Sequence, residues 1–318
     1  MNQLTTYSKY ARWPATVLLA TILAACGGGQ GPILGSDANA SNGGPGVGVP
    51  GIVVIAPQPT ESSYLTAPLA NYGVFGGSAG MTNTGNLTVI TRSGGTADIG
   101  TTQTANASIT GFHDSANDRY SDTGGADSGN VTGLIYTCTN STTGPTNAGV
   151  NAASCTLATT ARADALIAYN ALVAQPAGPN PGAGNLANLT LAPGVYTSAA
   201  GSFKMEGGNL TLDAQGNANA VWVFQMATTL TVGGPGAAAP QSVILSNGAQ
   251  AKNVYWQVGS AATINAGGGG TMVGTIISQA GVTVSTAGNA AVSTLNGRAL
   301  SLGASVTMVN TVITVPAP

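Results

Sequence analysis

The feature that most constrains this chain is a repeat in its C-terminal third. Asn253-Val-Tyr-Trp-Gln-Val-Gly, Thr275-Ile-Ile-Ser-Gln-Ala-Gly and Arg298-Ala-Leu-Ser-Leu-Gly-Ala begin 22 and then 23 residues apart. Each is followed by a second alternating run: Ala262-Thr-Ile-Asn, Val282-Thr-Val-Ser and Val306-Thr-Met-Val. An earlier copy, Val221-Trp-Val-Phe-Gln with Leu230-Thr-Val-Gly, starts 32 residues before Asn253. The excess lies in a turn-like insertion, Gly233-Gly-Pro-Gly-Ala-Ala-Ala-Pro240. One copy cannot bury its apolar face alone, whereas stacked copies share a continuous core, so short β-type runs at this period predict a solenoid.

Side chains alternate across a strand, which sorts the second run of each repeat into two sets. Leu230, Val232, Ala262, Ile264, Val282, Val284, Val306 and Met308 point inward. Thr231, Thr263, Thr283 and Thr307 fall in one outward column. Thr229, Ala261, Gly281 and Ser305 are expected to flank it on one side, and Gly233, Asn265, Ser285 and Val309 on the other. Thr82 and Thr84, in Met81-Thr-Asn-Thr-Gly, extend the same face, while Lys204 and Glu206 mark where it stops. Adjacent coils lie about 4.8 Å apart, so the column is a ladder of stiff hydroxyl- and methyl-bearing side chains at regular spacing.

The start of the chain reads as an export signal. Lys9 and Arg12 precede an apolar stretch, Trp13 to Ala25, too short to span a bilayer as a stable helix. Leu23-Ala-Ala-Cys26 resembles a bacterial lipobox, which implies cleavage before Cys26 and lipidation of its thiol. The product would be held to the outer membrane, on its cell-surface or periplasmic side, or released; an ordinary secretory signal is the alternative. Residues 1–25 are therefore read as a lipoprotein signal peptide and 26–60, rich in Gly, Pro, Ala and Asn, as a flexible tether. Residues 61–318 form the domain.

With Cys26 on the lipid, Cys138 and Cys155 remain as a pair in an exported chain, which favours a disulfide. Two thiols with no nearby His make a metal site the weaker rival. Residues 101–158 break the β pattern and are expected to cap an end of the stack. Their acids, Asp114, Asp118, Asp122 and Asp127, lack a calcium-loop pattern and read as a solvated loop. Thr159 to Gln175 is the one convincing helix, capped by Thr159 or Thr160. Its stripe Ala163, Leu166, Ile167, Asn170 and Val173 is expected to lie against the flank of the solenoid.

Charge excludes several functions. There are 18 charged residues in 318; without Lys9 and Arg12, six basic residues face ten acidic ones, a net charge of about −4. That leaves no basic footprint for nucleic acid. The repeats offer only Lys252 and Arg298, and His113 stands alone in the polar region, so catalysis, a cofactor and a metal centre are not expected. Nothing calls for a second copy, and a monomer is expected.

A family resemblance covers roughly Leu65 to Val315. Leu191-Ala-Pro-Gly-Val-Tyr, Leu210-Thr-Leu-Asp-Ala-Gln-Gly, Asn219-Ala-Val-Trp-Val-Phe-Gln and Asn247-Gly-Ala-Gln-Ala-Lys-Asn-Val-Tyr-Trp-Gln-Val-Gly resemble the microbial ice-binding (antifreeze) protein family. Leu69-Ala-Asn-Tyr and Asn296-Gly-Arg-Ala-Leu match it as well, although Lys252 stands where the family often has Cys. The resemblance implies a mostly β, right-handed, discontinuous β-solenoid of triangular section with one long flanking helix. It also implies an ice crystal surface as the partner, met here through the Thr column. No acid follows Asp213, and a strongly hydrated charge would oppose ordering water into a lattice. The alternative is an adhesin, or a glycan-binding solenoid using Trp222, Tyr255 and Trp256; alternation puts at least one of Tyr255 and Trp256 in the core.

Overall fold

The computed structural model describes residues 56–60, 63–122, 127–139, 151–233, 240–286, 288 and 291–317. The expected signal peptide, Cys26 and most of the tether lie outside the described residues, as does the middle of the Gly233–Pro240 insertion.

Among the described residues the strands form three sheets of 13, 7 and 3 strands, and their pairing is parallel apart from one hairpin, Phe112–His113 with Arg119–Tyr120, and a lone bridge between Arg92 and Gly95. Most coils contribute strand to each of three faces. In spatial order one face holds Phe203–Met205, Leu230–Val232, Ala262–Ile264, Val282–Val284, Val306–Met308, Met81–Asn83 and Ile109–Thr110. This order is not that of the chain: the N-terminal coils stack beyond the last C-terminal one. A second face runs from Gly194–Thr197 through Trp222–Met226 and Val254–Val258 to Tyr72–Gly76, Asp98–Thr101 and Ile135–Thr137. Two long strands, Thr271–Ser278 and Ser293–Ser301, turn a corner and join this face to the third. Ser293–Asn296 pairs with Thr311–Thr314, whereas Ala299–Ser301 pairs with Val74–Gly76. Gly274 and Gly297 sit side by side at the bend, where a Cβ on Gly297 would lie 1.8 Å from the Gly274 carbonyl oxygen. Only glycine fits so close an approach.

The expected inward residues are the core. Leu230, Val232, Ala262, Ile264, Val282, Val284, Val306 and Met308 are each at most 1 % exposed. Phe224 stacks on Trp256 at 4.1 Å between ring centroids, and the Trp256 indole N–H donates to the Val273 carbonyl.

One helix, Ala152–Val173, closes the discontinuity. Its 22 residues measure about 33 Å at 1.5 Å per residue, close to the ~29 Å spanned by seven stacked strands. It therefore returns the chain from the end bearing Ile135–Thr137 to the end bearing Gly194–Thr197, touching both Ile135–Thr137 and Trp222–Met226 on the way.

Two expectations about this helix are corrected. The helix begins at Ala152, capped by the Asn151 side chain accepting from the Ser154 N–H, and not at Thr159 or Thr160. Those hydroxyls, with that of Thr156, donate back to carbonyls four residues earlier, a mid-helix geometry that mimics a cap signal in sequence. The buried stripe is Ala158, Ala161, Ala165, Ala168, Tyr169 and Leu172, while Leu166, Ile167 and Val173 are exposed. Small alanines let the helix approach a face already filled by Tyr72, Phe75, Val223, Tyr255 and Leu300.

Of residues 101–158, expected as a capping insertion, those described between 101 and 137 mostly continue the stack. Ile109–Thr110 pairs with Met81–Thr82, Asn130–Val131 with Val89–Ile90, and Ile135–Thr137 with Ile99–Thr101. The Cys138–Cys155 disulfide ties the end of this coil to the first turn of the helix. Asp114 and Asp122 are buried, not solvated. Asp114 accepts from the N–H groups of Ala116, Asp118 and Ile135, and Asp122 sits 2.5 Å from the His113 ring. The tether also ends sooner than residue 60. Ala56 packs in the core, the Pro57 carbonyl accepts from Val195 N–H, and Gln175 holds Thr60. Residues 56–58 thereby lie along the Gly194–Thr197 edge strand.

Candidate functional site

The seven-stranded face carries one column of outward side chains in unbroken register: Lys204, Thr231, Thr263, Thr283, Thr307, Thr82 and Thr110. All six threonines are half-buried with a buried residue on either side, five of them at the centre of a three-residue strand. At about 4.8 Å per strand the six span ~24 Å. The Thr307 hydroxyl donates to that of Thr283 at 3.1 Å, so neighbouring rungs also fix one another's rotamers.

One flank is as expected. Thr229 is exposed and Ser305 half-buried, with Ala261 and Gly281 between them. The backbone there stays in the ladder, the carbonyls of Thr229, Ala261, Gly281 and Ser305 each accepting from the next strand's N–H. The other flank is corrected. Asn265 and Ser285 are each 1 % exposed and turn inward. Both have positive φ, 44° and 62°, so the alternation that places Thr263 and Thr283 outward ends one residue too early for them. Asn265 holds the Gln241 backbone from both sides, its Oδ1 accepting the Gln241 N–H and its Nδ2 donating to the Gln241 carbonyl, both at 3.0 Å. It is a brace behind the face. Thr84 is exposed on the same flank, its N–H bonded to the Met308 carbonyl.

Thr110 is the face residue that sequence reasoning missed. Ile109-Thr110 has the same apolar–Thr step as Val282-Thr283, but its strand is two residues long and pairs with a strand 28 residues earlier. Among the described residues of the seven strands and the residue beyond, the charged side chains are Lys204 and Glu206, at one end. They neutralise each other through an Nζ–Oε2 contact of 2.6 Å.

Other candidate chemistry is occupied by the fold. Arg298 is 4 % exposed and donates to the Ala70 carbonyl and the Thr275 hydroxyl. Burial pulls its guanidinium down to about 10. Trp222, Tyr255 and Trp256 are at most 1 % exposed, so none of the three can serve as a platform for a sugar. Among the described residues no group of three His, Cys, Asp or Glu side chains is placed to hold a metal, and no helix is long and apolar enough to cross a membrane.

Comparison with known proteins places this geometry in a family. The family model described as ice-binding-like matches residues 75–314. An ice-binding protein of a Nostoc species is 34 % identical over 247 residues, 78 % of this chain and 72 % of that protein. One from Flavobacterium frigoris is 30 % identical over 82 % of this chain and 81 % of its own length. A shorter match, 44 % identical to ice-binding protein 1 of Shewanella frigidimarina, spans 30 % of this chain but only 10 % of that much longer relative. Among solved structures, the antifreeze ice-binding protein of an Arctic yeast superimposes with a TM-score of 0.60 at 27 % identity, covering 81 % of this chain and 96 % of its own. On the family match and the two relatives aligned over most of their length, this chain belongs to the ice-binding-like family.

Proposed function

We propose that this protein adsorbs to ice through its threonine face and so restrains the growth or recrystallisation of ice. The observation that carries this is the register of six threonines on consecutive strands with no charge between them. A parallel stack places these groups before ice arrives, so little side-chain entropy is lost on contact. Methyl and hydroxyl groups held on a rigid backbone can order water; ionised groups, with tightly held hydration, cannot share it with a lattice. The role needs no catalysis and no cofactor, and a single copy presents the whole face.

Lipidation at Cys26 would hold the domain to the outer membrane and make it a device for attaching the cell to ice or protecting its envelope; release would leave it acting on ice outside the cell. Ice affinity partitioning tests the central proposal. The purified protein should be enriched in a slowly grown ice hemisphere, and Thr263→Tyr, still folded by circular dichroism, should be enriched several-fold less. Exclusion of the wild type from ice would refute it.

A further inference from the structure

The third face of the solenoid is also free of charge where the coils are best registered, and nothing in the threonine face accounts for that. Thr294 on one strand lies beside Val312 on the next and Val89 on the one after. Two residues along the same strands, Asn296 lies beside Thr314 and Thr91. All six point outward by alternation, and all are half-buried. They make a grid of three rungs and two columns, about 4.8 Å between rungs and ~7 Å between columns.

The composition of this grid is specific. Five of the six are Thr or Val, β-branched residues of the same outline whose χ1 is stiff, so the surface is as rigid as the threonine ladder. Charges at half-exposed positions would add solubility at little cost to the fold, and a protein so poor in charge would gain from them. One cation lies at the end of this block. Arg92 follows Thr91 on the same strand, and its guanidinium turns aside to donate to the Asn71 side chain. The two faces share coils: Val306–Met308 and Thr311–Val315 are separated only by Val309 and Asn310. The grid is therefore continuous, around one edge, with the threonine face.

We infer that Thr294, Val312, Val89, Asn296, Thr314 and Thr91 form a second ice-contacting face, which engages a different set of ice planes from the first. This rests on the proposed function; the grid presents two columns about 7 Å apart on a different side of the coils from the single threonine column, so each face meets the lattice in its own direction. A protein with two such faces, meeting at one edge, covers more than one crystal plane.

The test is fluorescence-based ice plane affinity on a single-crystal hemisphere. The wild type should decorate two sets of planes. The double variant Thr263→Tyr/Thr283→Tyr should keep one set, and Thr314→Tyr should keep the other. Combining all three should remove ice labelling while thermal unfolding stays cooperative. Thr91→Lys, a longer polar side chain at the same grid, should repeat the Thr314→Tyr pattern should that variant fold poorly. A wild-type pattern in both Thr314→Tyr and Thr91→Lys, with no ice labelling by Thr263→Tyr/Thr283→Tyr, overturns the second face and leaves the first intact. A wild type that labels no ice overturns the function itself.

Discussion

Replacing Leu172 and Ile167 with alanine, one at a time, separates the two faces of the helix. Leu172 is fully buried beneath it, against the sheet, whereas Ile167 is 66 % exposed. Truncating a fully buried leucine costs about 2–5 kcal/mol through lost transfer energy and the cavity left behind. Ile167 has only a third of its surface covered, and complete burial of such a side chain contributes ~1.5–3 kcal/mol, so the loss is about 0.5–1 kcal/mol. Alanine recovers a few tenths of that through its better helix propensity. The net effect of Ile167→Ala is thus ~0.5 kcal/mol against ~3 for Leu172→Ala. Urea unfolding followed by circular dichroism reads both. With a slope near 3 kcal/mol/M for a domain of this size, Leu172→Ala should lower the midpoint by about 1 M and Ile167→Ala by about 0.2 M, with unchanged slopes. A midpoint for Ile167→Ala as low as that of Leu172→Ala would refute the alanine-faced packing and restore the large apolar residues to the buried side.

The disulfide and the titratable groups give two further outcomes. Replacing Cys138 and Cys155 with serine together should cost about 3 kcal/mol for a closed loop of this length, and should leave ice affinity of the remaining folded protein unchanged because the bond lies on the helix side; loss of ice affinity without loss of fold would contradict this. Burial raises the phenols of Tyr72, Tyr196 and Tyr255, so the folded state keeps protons that the unfolded chain releases near pH 10. Their contribution is complete below that pH and is lost as pH rises toward the folded values, with Tyr196 pushed up to about 12. Arg298, drawn down to about 10, has the opposite sign, but it is one group against three. The urea midpoint should therefore fall between pH 10 and 12, and a rise would contradict the burial of these phenols. Burial also raises the carboxyl of Asp98, so its protonation favours the fold: Asp98→Asn should be no less stable than wild type at pH 7 and should lose part of any gain on acidification, in the same urea assay.

What the sequence made legible follows from which constraints are local. The inward ladder and the central threonines were readable because a strand of three residues between two turns has one alternation to obey, and parallel stacking repeats it. Asn265 and Ser285 were not, because a positive φ at the strand's end changes which way the next side chain points, and nothing but a glycine would have announced it. The helix was recognised by composition but turned the wrong way. Hydrophobicity ranks Leu166 and Ile167 above Ala161 and Ala165, whereas a helix lying close against bulky aromatics is limited by size. The N-terminal coil at residues 101–137 escaped for another reason. Its stacking strands, Ile109–Thr110, Gly129–Val131 and Ile135–Thr137, are two or three residues long and separated by polar loops, and they pair with other short N-terminal strands, such as Met81–Asn83 for Ile109–Thr110. Pairing at such irregular separations leaves no local period to read.

The measurement that bears most directly on the threonine face is thermal hysteresis across a series in which each rung is changed to tyrosine: Thr231, Thr263, Thr283, Thr307, Thr82 and Thr110 in their spatial order. If these six form one contact, a bulge at the centre lifts more of the surface from the lattice than a bulge at an end. Thr283→Tyr and Thr307→Tyr should then lose most of the activity, and Thr110→Tyr and Thr231→Tyr the least, with every variant folded. Activity that is untouched by the central substitutions, or that falls equally at every rung, would contradict a single flat ice-binding face built on this register.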